Sequence, residues 1–125
     1  MVQRYTVKVA AYLEIVVGAI FITAPNIPCA LLFGLDTDNI GTALARWVGV
    51  SLFALGVACL PSKAGQSNHS AAFGLFVFNA GVTILFAWVG VVVQVHGVLL
   101  WPAVILHAVI AGALLSHLQS KGSVE

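Results

Sequence analysis

Charged residues are scarce in this chain of 125 residues: only 7% are Asp, Glu, Lys or Arg, whereas 61% are hydrophobic. Soluble domains carry about 25% charged residues, so a surface this poor in charge is unsuited to water. We therefore predict a membrane protein whose main partner is the lipid bilayer. The net charge of +1 and the lack of a basic stripe argue against a nucleic-acid partner.

Cysteine is also scarce, and the two copies, Cys29 and Cys59, do not form a CxxC pair. We interpret both as small buried hydrophobic side chains. The sequence contains no nucleophile elbow, phosphate-binding loop or HExxH zinc motif. His107 is the only histidine at the centre of an apolar segment, and a metal or haem site needs further ligands. We therefore expect no metal, no cofactor and no catalytic residue, which favours a protein that is not an enzyme.

Long hydrophobic runs dominate what is present. A helix needs about 20 apolar residues to cross the hydrocarbon core. Four such helices are predicted, which form an all-α, antiparallel four-helix transmembrane bundle in a single domain, 1–125. Their expected ranges are 7–24, 43–60, 71–95 and 98–118.

Proline and polar residues separate these apolar segments. Pro25 and Pro28 interrupt the apolar run that starts the chain, since proline removes a backbone donor and clashes with the preceding turn. We predict that the first helix stops near Ala24 and that residues 26–34 form a short interfacial turn. Either Thr37 or Asp38 is expected to cap the second helix.

Basic residues indicate how the bundle is oriented. With four spans, one side of the membrane holds most of them: Arg4, Lys8, Lys63 and Lys121. Positively charged loops are enriched on the cytoplasmic side, so both termini are predicted to be cytoplasmic. The expected location is a bacterial inner (plasma) membrane, which the chain crosses several times.

Glycine spacing suggests which helix faces pack. Two pairs are each spaced by seven residues, Gly49 with Gly56 and Gly74 with Gly81. Seven residues keep small side chains on nearly the same helix face, and small residues let membrane helices approach closely. We therefore predict that the second and third helices form a tightly packed hairpin.

Four polar residues fall inside the predicted helices, where hydrocarbon makes them costly: Glu14, Arg46, Asn79 and His107. Their depths predict a buried cluster of Glu14, Asn79 and His107. Arg46 is expected either to extend outward to Asp36 or Asp38, or to reach inward to Glu14. The cluster is interpreted either as a polar clamp that fixes helix register or as a ligand-binding, proton-exchanging site.

Residues 45–56, with the sequence ARWVGVSLFALG, resemble the second helix of small four-helix bacterial membrane proteins of the DoxX-like kind. The first helix, from Glu14 to Pro25, followed by Phe33 and Gly34, is similar in style. This resemblance implies an architecture rather than an activity.

Residues 13–18, LEIVVG, resemble the first helix of small multidrug-resistance transporters, which are short four-helix proteins with an essential membrane glutamate. That resemblance implies that Glu14 binds a proton and a cationic substrate in competition, across a homodimer. Arg46 and His107 depart from the pattern of those transporters.

Three functions stay open at this point. The first is a helical accessory or scaffold subunit, whose partners are other membrane subunits or a second copy of the chain. The second is a proton-coupled small-molecule transporter that works as a homodimer through Glu14. The third is a lipid- or quinone-binding module that uses His107 and Arg46.

Overall fold

The structure is a computed structural model that describes residues 2–60, 69–95 and 97–122. This part of the chain is helical and contains no β-strand. The elements are α1 (Val2–Thr23), α2 (Asn26–Phe33), α3 (Asn39–Cys59), α4 (His69–Trp88) and α5 (Leu100–Gly122). A π-helical turn, Val89–Val93, continues α4.

Four of these helices are long and apolar enough to cross a membrane. The candidate spans are Tyr5–Thr23, Asn39–Cys59, His69–Val93 and Leu100–Ser120. They overlap the four predicted ranges and confirm, for the described residues, four apolar helices of membrane-spanning length. Three of the basic residues used to predict the orientation lie outside the described residues or side chains: Arg4, Lys63 and Lys121.

The short segment after α1 was predicted to be a turn, and this prediction was wrong. Residues Asn26–Phe33 form helix α2, which ends at Gly34 in the left-handed conformation (φ 70°, ψ 17°). The prolines permit this because Pro25 precedes the helix and Pro28 lies in its first turn. Backbone N–H groups of a first turn have no partner within the helix, so a proline there costs no hydrogen bond.

Asp38 begins α3. Its Oδ1 accepts a hydrogen bond from the Gly41 backbone N–H at 2.6 Å, which satisfies one of the orphan donors of the helix. Thr37, the alternative cap, instead donates to Asn26 Oδ1 at 2.6 Å and lies 2.9 Å from the Thr42 hydroxyl. These bonds join the start of α2 to the start of α3.

Helix α1 packs closely against α3, and α4 packs against α5. A Cβ built on Gly49 would lie 2.8 Å from the Gly18 carbonyl oxygen, and one on Gly56 would lie 2.6 Å from that of Ala11. Backbone therefore touches backbone between α1 and α3. In contrast, Gly74 and Gly81 on α4 have no atom within 4 Å of an added Cβ.

The predicted hairpin of the second and third membrane helices is therefore corrected. The partner of Gly49 and Gly56 is α1, where Gly18 provides a matching flat surface. Seven-residue spacing identifies a face of small residues but not the helix that the face contacts. On α4 the glycines lie on the outer side, away from the buried Asn79.

The connection between α4 and α5 rests on the end of α2. The backbone N–H groups of Gly97 and Leu99 donate to the carbonyls of Leu32 and Leu31, at 2.7 and 2.8 Å. Carbonyls at the end of a helix have no partner within it, so these bonds satisfy two of them. Gly97 allows the approach, because a Cβ there would collide with the Leu31 and Ala30 carbonyl oxygens.

Buried apolar side chains form two clusters at different levels. The first cluster joins α1, α3, α4 and α5: Val7, Ala10, Ala11, Cys59, Ala71, Ala72, Leu75 and Leu114. The second lies toward α2: Phe21, Cys29, Leu32, Ala45 and Leu52. Cys29 and Cys59 are both buried and free, as the sequence predicted. Along α1, Glu14 falls between the two clusters.

Candidate functional site

Glu14 is the buried acid of the described chain. Helix α1 places it one turn beyond Ala10 and Ala11, and only 2% of the residue is exposed. One oxygen of its carboxyl, Oε1, has no hydrogen-bond partner among the described residues. The side chain of Asn79, on α4, lies beside the Glu14 carboxyl. The Cys59 thiol, on α3, is close enough to Glu14 for an electrostatic interaction with the carboxylate.

Asn79 links three helices through a single side chain. It is completely buried, and its Nδ2 donates to the Leu75 carbonyl oxygen one turn earlier on α4, at 2.8 Å. Its Oδ1 lies 2.7 Å from Nδ1 of His107 on α5. Together with its position beside Glu14, these contacts connect α1, α4 and α5.

His107 lies between two aromatic rings. Phe78 and Phe86 meet the imidazole edge to face, with ring centroids 6.2 and 6.1 Å away. Phe86 in turn contacts Phe33 of α2 at 5.8 Å in the same T-shaped arrangement. An aromatic series thus runs from α2 to His107, and the polar series His107, Asn79, Glu14 continues from it to α1.

The structure therefore places Glu14, Asn79 and His107 together but leaves Arg46 apart. The Arg46 side chain is exposed in the second turn of α3. Within the described part of the chain it makes no hydrogen bond or ion pair with Glu14, Asp36 or Asp38. Its neighbour Trp47 is 70% exposed, so this region of α3 faces outward.

Four residues at the site were not predicted from the sequence: Leu75 with its carbonyl, Cys59, Phe78 and Phe86. The place of Phe86 beside the polar cluster could have been predicted, because Phe86 lies seven residues after Asn79 and therefore on the same helix face. The Leu75 carbonyl and Cys59 carried no such signal, since every residue has a carbonyl and a cysteine in an apolar run is an ordinary core residue.

The arrangement supports two kinds of chemistry. An isolated ionised carboxylate in hydrocarbon is expensive, so Glu14 is suited to take up a proton or a ligand that donates a hydrogen bond. Asn79 contacts both Glu14 and His107, and its amide does not titrate. Among the described residues, no group of three or more His, Cys, Asp or Glu side chains can hold a metal ion.

Comparison with known proteins adds no relative. No protein-family model matches the chain. Searches of the curated proteins and of the solved structures also give no match.

Proposed function

We propose that this chain is a multi-pass membrane protein that binds a proton and a small ligand alternately at Glu14, as a proton-coupled transporter does. The observation that carries the proposal is the Glu14 carboxyl, which is 2% exposed and has an unpartnered Oε1. Hydrocarbon makes an ionised acid costly, and membrane proteins retain such acids mainly along proton and substrate pathways.

Glu14 lies inside a single chain, in contact range of α3 and α4. The resemblance to small multidrug-resistance transporters implied a glutamate shared across a homodimer. In the proposed mechanism one chain supplies the whole polar series, and a second copy is not needed to bury Glu14. Dimer formation then serves stability or regulation rather than assembly of the site.

Orientation belongs to the same proposal. Contacts between α1 and α3 move from Ile22 back to Ala11 as α3 advances from Gly49 to Gly56, which supports an antiparallel bundle. The distribution of Lys and Arg supports cytoplasmic termini in a bacterial inner membrane. Membrane-impermeant labelling of single cysteines placed at each terminus tests this orientation, and labelling from the outside contradicts it.

Transport by reconstituted protein tests the function. Proteoliposomes with an imposed pH gradient are assayed for uptake of guanidinium, a cation whose N–H groups can donate hydrogen bonds to an ionised carboxylate. We expect proton-driven uptake by the unaltered protein and none above protein-free vesicles for Glu14→Gln, because the amide cannot bind and release a proton.

Two control variants accompany the transport assay. Glu14→Asp retains a titrating carboxyl and should keep measurable uptake. Ser116→Ala changes an exposed position on α5 whose hydroxyl bonds only within its own helix, at 2.9 Å to Ala113, and should leave uptake unchanged. Equal uptake by the unaltered protein and Glu14→Gln contradicts the proposal.

A second candidate is an accessory or scaffold subunit of a larger membrane complex. It is favoured by the outer side of α4, where Gly74 and Gly81 are open and Val77 and Ile84 are 52% and 71% exposed. Small residues are the positions at which membrane helices approach each other most closely. This surface is separate from the Glu14 site, so the two functions are compatible.

A further inference from the structure

The orientation of the Asn79 amide is fixed by its own helix. The Leu75 carbonyl oxygen, 2.8 Å from the side chain, can only accept a hydrogen bond. The NH2 group of the amide must therefore face Leu75, since the opposite orientation would place two oxygens against each other. Asn79 is completely buried, so water cannot relieve such a conflict.

The fixed amide determines which nitrogen of His107 carries a proton. With Nδ2 turned to Leu75, Oδ1 faces His107 at 2.7 Å, and an amide oxygen only accepts. Nδ1 of His107 must therefore donate. A neutral imidazole has one N–H, so Nε2 carries the lone pair.

Packing holds the ring in this position. Phe78 and Phe86 meet the imidazole at interplanar angles of 77° and 86°. The imidazole is therefore in contact with two aromatic rings. Rotation about the side chain would break the Asn79 bond and displace these rings. Nε2 makes no hydrogen bond with any residue that the structure describes, which leaves its lone pair available.

We infer that Asn79 is a positioning residue that holds His107 as the Nδ1–H tautomer and makes Nε2 a second hydrogen-bond acceptor in the polar series with Glu14 Oε1. Nε2 then accepts from N–H or O–H groups and has no proton to donate to a carbonyl oxygen. A ligand contact at Nε2 rests on the proposed function, whereas the tautomer does not.

Nitrogen NMR tests the inference directly. The full chain is labelled with ¹⁵N-histidine, placed in lipid bilayers and measured by magic-angle spinning at alkaline pH, where histidine is neutral. The signals of His107 are assigned by their loss in His107→Gln. We expect a protonated Nδ1 and a bare Nε2, and a bare Nδ1 in the unaltered protein overturns the inference without any variant.

Two variants separate positioning from simple structural support. Asn79→Asp keeps an acceptor opposite Nδ1, and a neutral carboxyl, which burial in hydrocarbon favours, can donate to the Leu75 carbonyl in place of the amide, so Nδ1 should stay protonated. Asn79→Leu removes the acceptor while filling similar volume, so the Nε2–H tautomer should appear. An unchanged Nδ1–H signal in folded Asn79→Leu overturns the role of Asn79, and loss of the Nδ1 proton in Asn79→Asp does the same.

The outcome is distinguishable from failure of the proposed function. A protonated Nδ1 without uptake that depends on Glu14 keeps the positioning role and rejects transport. A bare Nδ1 with uptake that depends on Glu14 rejects the positioning role and keeps transport.

Discussion

At the scale of single residues, Asn79 determines more of the arrangement than any titrating group. It donates to the Leu75 carbonyl, accepts from His107 and lies beside Glu14, so one amide contacts three helices. Hydrogen bonds between membrane helices average only about 0.6 kcal/mol, because the unfolded state in lipid also finds partners. The larger effect of losing Asn79 is that it leaves buried polar groups unpaired.

Asn79→Leu should therefore lower the free energy of unfolding by about 1–3 kcal/mol, the usual cost of leaving a buried polar group without a partner. Reversible unfolding in mixed micelles measures it. Thr83→Val is the matched control on the same helix, since its hydroxyl bonds only to the Asn79 carbonyl, at 2.8 Å. It should change stability by no more than about 0.5 kcal/mol. Equal losses in the two variants would show that the contacts of Asn79 between helices contribute nothing.

The candidate residues were predictable because hydrocarbon leaves few polar side chains to choose from. Glu14, Asn79 and His107 stand out because placing a polar side chain in hydrocarbon costs free energy. Arg46 stands out for the same reason, but its long stem lets it reach outward, and the structure leaves it exposed. The free-energy cost of a polar side chain in hydrocarbon does not by itself distinguish a buried polar residue from one near a helix end.

At the scale of helices, the tight pair is α1 with α3. Gly18, Gly49 and Gly56 bring the two backbones together, since a Cβ at each would lie 2.6–2.8 Å from a backbone atom of the other helix. In lipid there is no hydrophobic gain from joining two apolar helices, so close van der Waals contact supplies much of the attraction. Glycine at these positions is therefore a packing requirement.

Gly56→Ala should destabilise the protein by about 1–3 kcal/mol, the range found when extra volume is forced into a packed interface. The added Cβ would meet the Ala11 carbonyl oxygen at 2.6 Å and the Ile15 nitrogen at 2.9 Å, and neither backbone atom can rotate away. Gly74→Ala is the control, because that position is open and alanine favours helix by up to about 1 kcal/mol. Unfolding midpoints should move in opposite directions, and a common direction contradicts the packing account.

Helix α2 shows why element boundaries depend on more than breaker residues. Pro25 and Pro28 suggested irregular structure, yet their positions just before and within a first turn suit proline. The end of α2 is satisfied by Gly97 and Leu99, which are more than 60 positions further along the chain. A bond of such long range leaves no local signal in the sequence.

At the scale of the whole molecule, the number of long helices was predictable and their pairing was not. Span length is set by bilayer thickness, so four apolar runs predict four long helices. In a soluble bundle, polar residues would mark the outer faces. Here the outside is apolar too: Ile84 is 71% exposed, while Leu75 on the same helix is fully buried.

The open outer side of α4 gives the second candidate function its own prediction. If it contacts a partner subunit, purification of the unaltered chain in mild detergent should recover that subunit in fixed proportion. Gly81→Leu should abolish recovery, because the side chain would fill the space that a facing helix needs. Gly112→Leu, which changes an equally open glycine on α5, should not. Recovery as a self-contained particle in all three cases contradicts the scaffold function.

Infrared spectroscopy of the protein in lipid bilayers tests the central claim, which is that Glu14 exchanges a proton inside the bundle. Spectra of the unaltered chain and Glu14→Gln are compared while the pH of the medium is varied. We predict a protonated carboxyl band in the unaltered protein that disappears reversibly as pH rises and is missing from Glu14→Gln. Identical carboxyl bands in the two proteins at every pH would contradict the claim.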